Sequence, residues 1–504
     1  MKKVAAFVYN NCKNDARVLK EAKTLVEVGF EVTIYALLDK ETEPIEWRHG
    51  IRIIRVEKRA LHLRLLRFVN RIVKPRFWIR QFLRIFYGFA RLAYSIITVF
   101  RGKDKSENEI QTKEYGILKR IKRIFSLSNI KKIRGELLDN KARLILYGWI
   151  LIGVFYLFIF GKNTIAFVVK SMYGLVRQVL MFFHRPLSFL DYYYRVHKLI
   201  KSEGFGFYHA HDFNTVPIAF YAKNRYGGKF IYDSHELYVE RNKLNKPSRI
   251  YKIIQRKVEG YYIKNCDRVI TVGPKIAEYI AEIYKVEAPD VIMNAPSIDK
   301  FSSANESDNI RDIIGIDKDK KVLLYTGAIT FNRGLENLIL SMQYLPDCFL
   351  VILGYGRDKY KRQLENLVES NNLTERFRFY GPVPTDQVAA FVSGSDLGVA
   401  PIQNACLSYY FCAPNKVFEY VIGGIPVIGS NFPELENIIV KHGIGLTFDP
   451  ENPKDIASSV SKVFANKESY DIMKQKTGEV AKLYNWENES KKLIRIYETL
   501  NDIH

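Results

Sequence analysis

The residues best spaced to do chemistry lie in the segment APNKVFEYVIGGIPVIGS, residues 413–430. The proline near its start is typical of a first helical turn, and Gly423-Gly424 ends that helix before the strand IPVIGS. Glu419 lies one turn inside the helix, where a carboxylate can accept two hydrogen bonds from a ribose diol. A single glutamate more often belongs to a solvated helix face, so a nucleotide pocket needs support from other segments.

A second segment has the residue types that suit phosphate. The strand KVLLYTGAI leads through the loop TFNRG into the helix LENLI, so Arg333 lies beside a helix N-terminus that offers free backbone N–H groups. Together they suit a diphosphate without a metal ion. Gly327 lies in the same loop, and the alternative is an ordinary strand–helix connection with Gly334 in the turn. The GYG triplet that begins at Gly354 is equally typical of a tight turn.

Three histidines form a third group. His209, His211 and His235 fall at the expected carboxyl ends of the strands in YHAHD and KFIYDSHE, where parallel α/β sheets hold their ligands. A lone histidine is more often structural, but three at one sheet edge predict a ligand site.

Alternating strands and helices must position these residues. Residues 4–9 predict a buried strand, about 15–28 a helix, and 51–56 a further strand; the alternation resumes near Tyr208 and continues to the carboxyl end. The pattern predicts an α/β protein with two Rossmann-like domains and an insertion in the first. The predicted boundaries are 1–57 with 201–297 for the first domain, 58–200 for the insertion, 298–480 for the second domain and 481–504 for a closing helix.

The insertion carries nearly all of the net charge of +23, because Lys58 to Lys198 contains 29 Lys and Arg against 7 Asp and Glu. Aromatic and apolar residues alternate with these cations, which indicates an anionic membrane surface rather than nucleic acid. The 17 apolar residues 144–160 are at the lower limit for a membrane span. Pairing them with 82–100 would send the basic stretch 101–143 across the bilayer, and the other candidate span, 164–183, itself contains Lys170 and Arg177. We therefore expect helices in the interface plane, with 144–160 lying flat or re-entrant. The alternative is a soluble helical subdomain.

Metal and disulfide chemistry have little support. The five cysteines show no metal-ligand spacing, so reduced thiols of a cytosolic protein are expected, and the amino terminus predicts a first strand rather than a signal peptide. The DxD motif at Asp317 and Asp319 lies in a Lys-rich loop that predicts a solvated turn. We therefore expect no metal and no cofactor other than a substrate nucleotide.

Taken in order, these segments resemble glycosyltransferase family 4, which has the GT-B fold. The carboxyl half resembles its donor-binding half through YTGAITFNRGLENLI, VILGYG, SDLGVAPI and PNKVFEYVIGGIPVIGS, and the amino half through NDARVLKEAKTLVEVGFEVTIYAL, YHAHDFNTVPIA and KFIYDSHELYVE. The resemblance covers the chain except for about 58–200. It implies two Rossmann-like domains that face a cleft, with the acceptor on the first and a nucleotide-sugar donor on the second.

The resemblance also implies roles for individual residues. Glu419 matches the glutamate that binds the nucleotide ribose, and Arg333 matches the basic residue that contacts the donor diphosphate. His235, or else His211, matches the histidine near the donor sugar, and His235 is preferred. The expected donor pocket further includes Gly327, Gly354, Asn415 and Lys416.

The chain departs from the family pattern at three places. Phe411 occupies the position of a second family glutamate, Ala328 that of an arginine in the phosphate loop, and YNNCKNDAR replaces an amino-terminal glycine-rich loop, with Arg17 as a candidate phosphate or acceptor contact. These changes predict altered specificity rather than lost catalysis.

The resemblance implies a retaining, metal-independent glycosyltransferase of the kind that builds bacterial surface polysaccharide. It would move a hexose from UDP- or GDP-sugar to a lipid-linked or glycan acceptor at the cytoplasmic membrane face, in surface polysaccharide or glycolipid synthesis. Its partners would be the nucleotide sugar, the acceptor and the anionic membrane surface, without nucleic acid. Two alternatives remain: a nucleotide-sugar epimerase of the same fold, and a catalytically weak membrane scaffold.

Overall fold

The computed structural model describes residues 3–58, 60–73, 171, 173–243, 247–299, 310–383 and 387–502. The chain divides into two compact units, one made of Met1–Lys58 with Tyr192–His504 and the other of Arg59–Asp191. The first unit contains both β-sheets and the candidate site.

The first sheet begins the chain and resumes after the insertion. Its strands are β1 (Lys3–Phe7), β2 (Glu31–Leu38), β3 (Ile45–Arg48), β4 (Ile51–Glu57), β5 (Phe207–His211), β6 (Lys229–Ser234), β7 (Arg268–Thr271) and β8 (Asp290–Val291). Their spatial order is β3-β4-β2-β1-β5-β6-β7-β8, and all neighbours are parallel except the β3–β4 pair. Helices cover both faces of such a sheet, which is why β1 and β6 are apolar at successive positions.

The helices of this part include α1 (Ala16–Glu27), α2 (Val216–Tyr226), α3 (Arg249–Asn265) and α4 (Pro274–Tyr284). Asp15 caps α1 by accepting a hydrogen bond from the Val18 N–H at 3.3 Å. The parallel order brings the carboxyl ends of β1, β5 and β6 to one edge, and this edge carries the predicted histidines.

The second sheet is entirely parallel, with spatial order β11-β10-β9-β12-β13-β14. Its strands are β9 (Lys321–Thr326), β10 (Cys348–Leu353), β11 (Phe377–Tyr380), β12 (Leu397–Ala400), β13 (Val427–Ser430) and β14 (Gly445–Phe448). The helices are α5 (Ile310–Ile314), α6 (Leu335–Ser341), α7 (Asp358–Ser370), α8 (Val388–Ser393), α9 (Leu407–Tyr410), α10 (Asn415–Ile422), α11 (Pro433–Leu435), α12 (Pro453–Phe464), α13 (Lys467–Leu483) and α14 (Trp486–Asp502).

The last helix, α14, packs on the first sheet rather than on the second. Its apolar stripe, which includes Leu493 and Tyr497, is buried in the same core as Val4 and Leu25. The Trp486 indole N–H donates a hydrogen bond to Thr24 Oγ1 at 3.1 Å. Helix α14 therefore follows the second domain in sequence but returns to pack on the first domain, which links the two.

The second unit is described only at its two ends. It contains a helix at Leu61–Val73, helical residues 173–182, and the start of a helix at His184–Ile200. In the described part of the chain, no helix has the length and apolar character that a membrane crossing requires. The segments 82–100 and 144–160, and residues 164–170, lie outside the described residues, so their predicted membrane orientation stays a prediction.

The prediction of two Rossmann-like domains with parallel sheets is confirmed. Strand β3 was not predicted, because Trp47 and its neighbours form an exposed antiparallel edge without an apolar run. The packing partner of α14 was also not predicted, since an amphipathic pattern shows that a helix has a buried face but not which sheet buries it.

Candidate active site

The carboxyl edges of the two sheets meet at a cleft pocket of about 800 Å³. The first domain supplies the loop after β1, the first turn of α1, and His235 with Glu236 after β6. The second domain supplies the loop after β9, Gly354 and Tyr355 after β10, and the segment from Ser408 to Glu419. A cleft at the carboxyl ends of parallel strands is where such folds bind their ligands.

The loop after β9 depends on glycines at two close backbone approaches. A Cβ atom on Gly354 would lie 1.8 Å from the Gly327 carbonyl oxygen, and one on Gly334 would lie 1.8 Å from the Pro401 carbonyl oxygen. Gly327 and Gly334 also have positive φ angles of 122° and 71°. These glycines hold the loop against its neighbours and bring Arg333 to the pocket.

Glu419 reaches the pocket from the second turn of α10. Its Oε2 accepts a hydrogen bond from Thr326 Oγ1 at 2.9 Å, and its other carboxylate oxygen has no hydrogen-bond partner among the described residues. Burial raises the pKa of this carboxyl, while Thr326 and Lys416 oppose the rise. One oxygen is thus fixed and the other is available to a hydroxyl donor.

Two cations share the pocket wall with Glu419. Lys416 is buried with its Nζ 3.4 Å from the centroid of the Tyr325 ring, and Arg333 lies 4.5 Å from the centroid of the Tyr409 ring. Burial and the nearby Arg333 hold the pKa of Lys416 well below its usual range. An anion placed between the two side chains would relieve this electrostatic cost.

Lys416 also lies where the phosphate loop lacks an arginine. Its Nζ is 3.6 Å from the position that a Cβ on Gly327 would take, next to Ala328. The sequence suggested α6 as the helix whose N-terminus meets the ligand, but it is Pro414, Asn415 and Lys416 at the start of α10 that line the pocket.

The opposite wall is organised around Asp233, a fully buried carboxylate. Arg17 donates to both of its oxygens at 2.8 Å, and His211 Nδ1 and His235 Nε2 lie 3.2 and 2.9 Å from Oδ2. Burial alone would raise the pKa of Asp233, but Arg17 and the histidines hold it well below its usual range. Arg17 lines the pocket, yet its guanidinium is already engaged by Asp233 and by the Ile292 carbonyl oxygen.

His235 and His211 occupy different positions. His235 lines the pocket, whereas His211 is buried behind it, with Nδ1 3.3 Å from His235 Nε2. Burial opposes a charge on His235, but Asp212 and Asp233 raise its pKa to about 9. His235 Nδ1 is 3.7 Å from Asp212 Oδ2, too long for a hydrogen bond, so this N–H can donate to a ligand.

Behind His235 lies a compact buried group of possible metal ligands. Glu21, His209, His211 and Asp233 place one ligand atom each within 4.8 Å of one another. Arg17 already contacts two of the four, since its Nε is 3.0 Å from Glu21 Oε1. The Arg17 guanidinium supplies, next to these two carboxylates, the positive charge that a metal ion would otherwise bring. The absence of a metal requirement stays a prediction.

Phe411 faces away from the pocket. Its ring lies 5.8 Å from that of Tyr279 on α4 and packs against the core of the first domain, and it is not among the pocket-lining residues. Asp317, in the predicted solvated turn, accepts a hydrogen bond from the Asp319 N–H at 3.3 Å, also outside the pocket.

Three residues that shape the site were not predicted from the sequence: Thr326, which orients Glu419, and Tyr325 and Tyr409, which contact the two cations. Thr326 and Tyr325 end a buried strand next to the predicted phosphate loop, a position that could have signalled them.

Two family models match the chain. "Glycosyl transferases group 1" matches residues 306–480, and "Glycosyltransferase Family 4" matches residues 157–299, so together they take in more than half of the chain. The chain belongs to glycosyltransferase family 4. The glycosyltransferase assignment from sequence is thereby confirmed.

Curated relatives are glycosyltransferases of low identity. An uncharacterized glycosyltransferase of Methanocaldococcus jannaschii is 28% identical over 46% of this chain, and the match spans 60% of that relative's own length. The lipopolysaccharide 1,2-N-acetylglucosaminetransferase of Salmonella typhimurium is 22% identical over 51% of this chain and 69% of its own.

Solved structures share the GT-B fold of this glycosyltransferase. Sucrose-phosphate synthase from Thermosynechococcus elongatus aligns over 100% of both chains with a TM-score of 0.65 and 15% identity. An Anabaena protein solved in complex with UDP and glucose aligns over 100% of both chains with a TM-score of 0.59 and 10% identity.

Proposed function

We propose that this glycosyltransferase moves a hexosyl group from a UDP- or GDP-sugar to a lipid-linked acceptor at the cytoplasmic face of the membrane, in surface polysaccharide or glycolipid synthesis. The observation that carries the donor assignment is the pocket wall that combines Glu419 with Arg333 and Lys416. A carboxylate with one available oxygen suits a ribose diol, and two adjacent cations suit a diphosphate. The Anabaena neighbour solved with UDP and the Salmonella lipopolysaccharide relative support this choice.

The same wall supports a role in the chemical step. Transfer breaks the bond between the anomeric carbon and the diphosphate oxygen and forms a bond from that carbon to the acceptor oxygen. Arg333, Lys416 and the first turn of α10 would stabilise the charge that develops on the leaving diphosphate. The departing phosphate oxygen then takes the proton of the acceptor hydroxyl.

Retention is the proposed stereochemical outcome, by attack on the face that the diphosphate leaves. A double displacement needs a carboxylate nucleophile beneath the sugar. The acids among the described pocket-lining residues are Asp15, Glu236 and Glu419. Each has another partner: Asp15 caps α1, Glu236 lies 3.4 Å from Arg241, and Glu419 holds Thr326. This arrangement favours attack on the same face.

His235 is the proposed contact to the donor sugar on the first-domain wall. It is charged at neutral pH, and its Nδ1–H can donate to a sugar hydroxyl or a phosphate oxygen. His211 would act through the hydrogen-bond network of Asp233. The proposed reaction needs no metal ion if His235, Arg333 and Lys416 supply all the positive charge that faces the donor diphosphate.

Exposed apolar and basic side chains support the proposed membrane association. On α3, Ile250 is 72% exposed, and Ile253, Ile254, Val258 and Tyr261 are also exposed at helical spacing. Its single acid, Glu259, is buried and hydrogen-bonded to Tyr232 and Tyr284, so the exposed charges of this helix are all basic. In the second unit, Phe182 is 81% exposed. Basic helices with exposed apolar residues are typical of interfacial binding to anionic lipid.

Thermal unfolding in the presence of UDP, GDP and their sugars tests the donor assignment. A nucleotide at about a hundredfold excess over its Kd stabilises the folded state by about 2.7 kcal/mol. We expect UDP or GDP and a matching sugar nucleotide to raise Tm for the wild type and to raise it clearly less for Glu419→Gln, which loses the ribose contact. Glu436→Gln is the matched control, because Glu436 is an exposed glutamate outside the pocket. Equal stabilisation of Glu419→Gln and wild type would refute the assignment.

A further inference from the structure

A second, larger pocket adjoins the donor pocket in the cleft. It has a volume of about 1490 Å³ and shares Ala328, Tyr355 and Tyr409 with the donor pocket. The first domain forms one wall with residues 239–243 and the start of α3, and the second domain forms the other with the loops after β9, β10 and β12. Asn332 Nδ2 donates to Asn242 Oδ1 at 3.3 Å across this region. A ligand here would lie next to a donor sugar.

The lining of the second pocket is strongly basic. Among its described residues, Glu240 is the only acid, and Lys252 and Arg256 both pair with it. The cations on the pocket wall are Arg241, Lys243, Arg249, Lys252 and Arg357.

Two of these five cations have carboxylate partners, since Arg241 pairs with Glu236 and Lys252 with Glu240, and the other three form no ion pair among the described residues. Arg249 and Arg357 are exposed, and neither forms an ion pair among the described residues. Lys243 Nζ hydrogen-bonds to a neutral group, Gln255 Oε1, at 3.4 Å. Burial and the neighbouring Arg241 lower the pKa of Lys243, as expected where cations outnumber acids. Like charges gathered in a concave wall favour an anionic ligand of more than one charge.

Aromatic side chains complete the pocket. Tyr355 is 66% exposed, and the ring of the exposed Phe331 lies 4.2 Å from that of Tyr360. Exposed rings beside cations offer flat amphipathic surfaces on which a sugar ring can pack. The pocket thus combines a sugar surface with an anion site.

We propose that the second pocket binds the diphosphate group of the acceptor, so that the acceptor is a diphosphate-linked glycan or glycolipid. This inference rests on the proposed function, since it places the acceptor beside the donor pocket. A diphosphate matches the excess of unpaired cations, whereas the single negative charge of a uronic acid matches only part of it. The volume of about 1490 Å³ leaves room for at least one sugar beside the diphosphate.

Calorimetric titration of inorganic diphosphate into enzyme saturated with its nucleoside diphosphate tests this proposal, because the first pocket is then filled. The double variant Arg249→Gln/Arg357→Gln should weaken diphosphate binding about 10- to 100-fold, because each substitution removes one charge-assisted contact and solvent screening weakens the contacts of exposed side chains. Lys359→Gln is the matched control, as Lys359 is an exposed cation two residues after Arg357 but outside the pocket. The control should bind diphosphate as the wild type does.

Three further results complete the test. Geranyl diphosphate should compete with inorganic diphosphate, and galacturonic acid should not; a uronate that binds equally well would overturn the diphosphate assignment. Unchanged diphosphate affinity in the double variant, or no saturable binding, would overturn the site. If no nucleotide binds, the proposed function fails, and titrating diphosphate into Arg333→Gln/Lys416→Gln still reports on the second pocket alone.

Discussion

Replacing Lys416 by methionine should weaken nucleoside diphosphate binding without lowering the stability of the ligand-free enzyme. The ammonium is buried next to Arg333. The Glu419 carboxylate and the ring of Tyr325, whose centroid is 3.4 Å from Nζ, offset part of that cost. Methionine has a similar length and keeps a favourable sulfur contact to that ring, worth about 0.3–1.5 kcal/mol. The cation–π contact that is lost is worth about 0.5–2 kcal/mol, and the relieved cost of burying a charge is at least as large.

The opposing effects can be bounded. We expect the free energy of unfolding of the ligand-free Lys416→Met variant to stay equal to that of the wild type or to rise by up to about 2 kcal/mol. A hydrogen bond to a charged group contributes about 1.5–3 kcal/mol, so the Kd for UDP or GDP should rise about 10- to 150-fold. The corresponding nucleoside has no phosphate and should bind both proteins equally.

Denaturant unfolding of the free proteins and calorimetry with nucleoside and nucleoside diphosphate provide the assay. Diphosphate binding by the wild type should also take up protons over the pH range in which the lowered pKa of Lys416 titrates, because that pKa rises when an anion arrives; calorimetry in buffers of different ionisation enthalpy measures this uptake. Lys416→Met should lose this uptake. A parallel loss of nucleoside and diphosphate affinity, or a destabilisation of several kcal/mol, would show that Lys416 supports the fold instead.

Three other predictions concern pH, metal and membrane. Because the pKa of His235 is raised to about 9, its imidazole is charged below that pH, and the transfer rate should fall as pH rises through about 9. His235→Gln should be slower at neutral pH and should not show this fall. A wild-type rate that stays flat to pH 10 would contradict the assignment. Transfer should survive EDTA, whereas a loss that Mg²⁺ or Mn²⁺ restores would overturn metal independence. Ile253→Glu/Ile254→Glu should bind vesicles rich in phosphatidylglycerol more weakly than the wild type. The control Ile472→Glu, which changes an exposed isoleucine of the second domain, should bind as well as the wild type. Equal loss of vesicle binding in both variants would show that α3 does not form the membrane contact.

The two sheets were predictable because buried parallel strands leave long apolar runs, and the site residues follow those runs at fixed offsets. Glu419, Arg333 and Lys416 were found in this way, and all three line one pocket. The resemblance preferred His235 to His211, but the sequence could not show how the two are arranged, because both follow neighbouring strands and only tertiary packing places His211 behind His235.

Other features could not be read from local sequence. Phe411 takes the position of a second family glutamate, yet its ring lies 5.8 Å from that of Tyr279 on the other domain and outside the pocket. No spacing within one segment reports a contact between two domains. The second pocket could not be predicted from the sequence for the same reason, because Arg249 and Arg357 belong to different domains and line one pocket only in the folded protein.

The central claim is that Glu419 binds the ribose of a nucleotide donor, and a double-mutant cycle tests it most directly. The dissociation constants of the nucleoside diphosphate and its 2′-deoxy and 3′-deoxy analogues would be measured for the wild type and Glu419→Gln. We expect the removal of a ribose hydroxyl to cost the wild type about 1–3 kcal/mol of binding free energy and to cost Glu419→Gln much less, since the carboxylate partner is already gone. An equal cost in both proteins would contradict it.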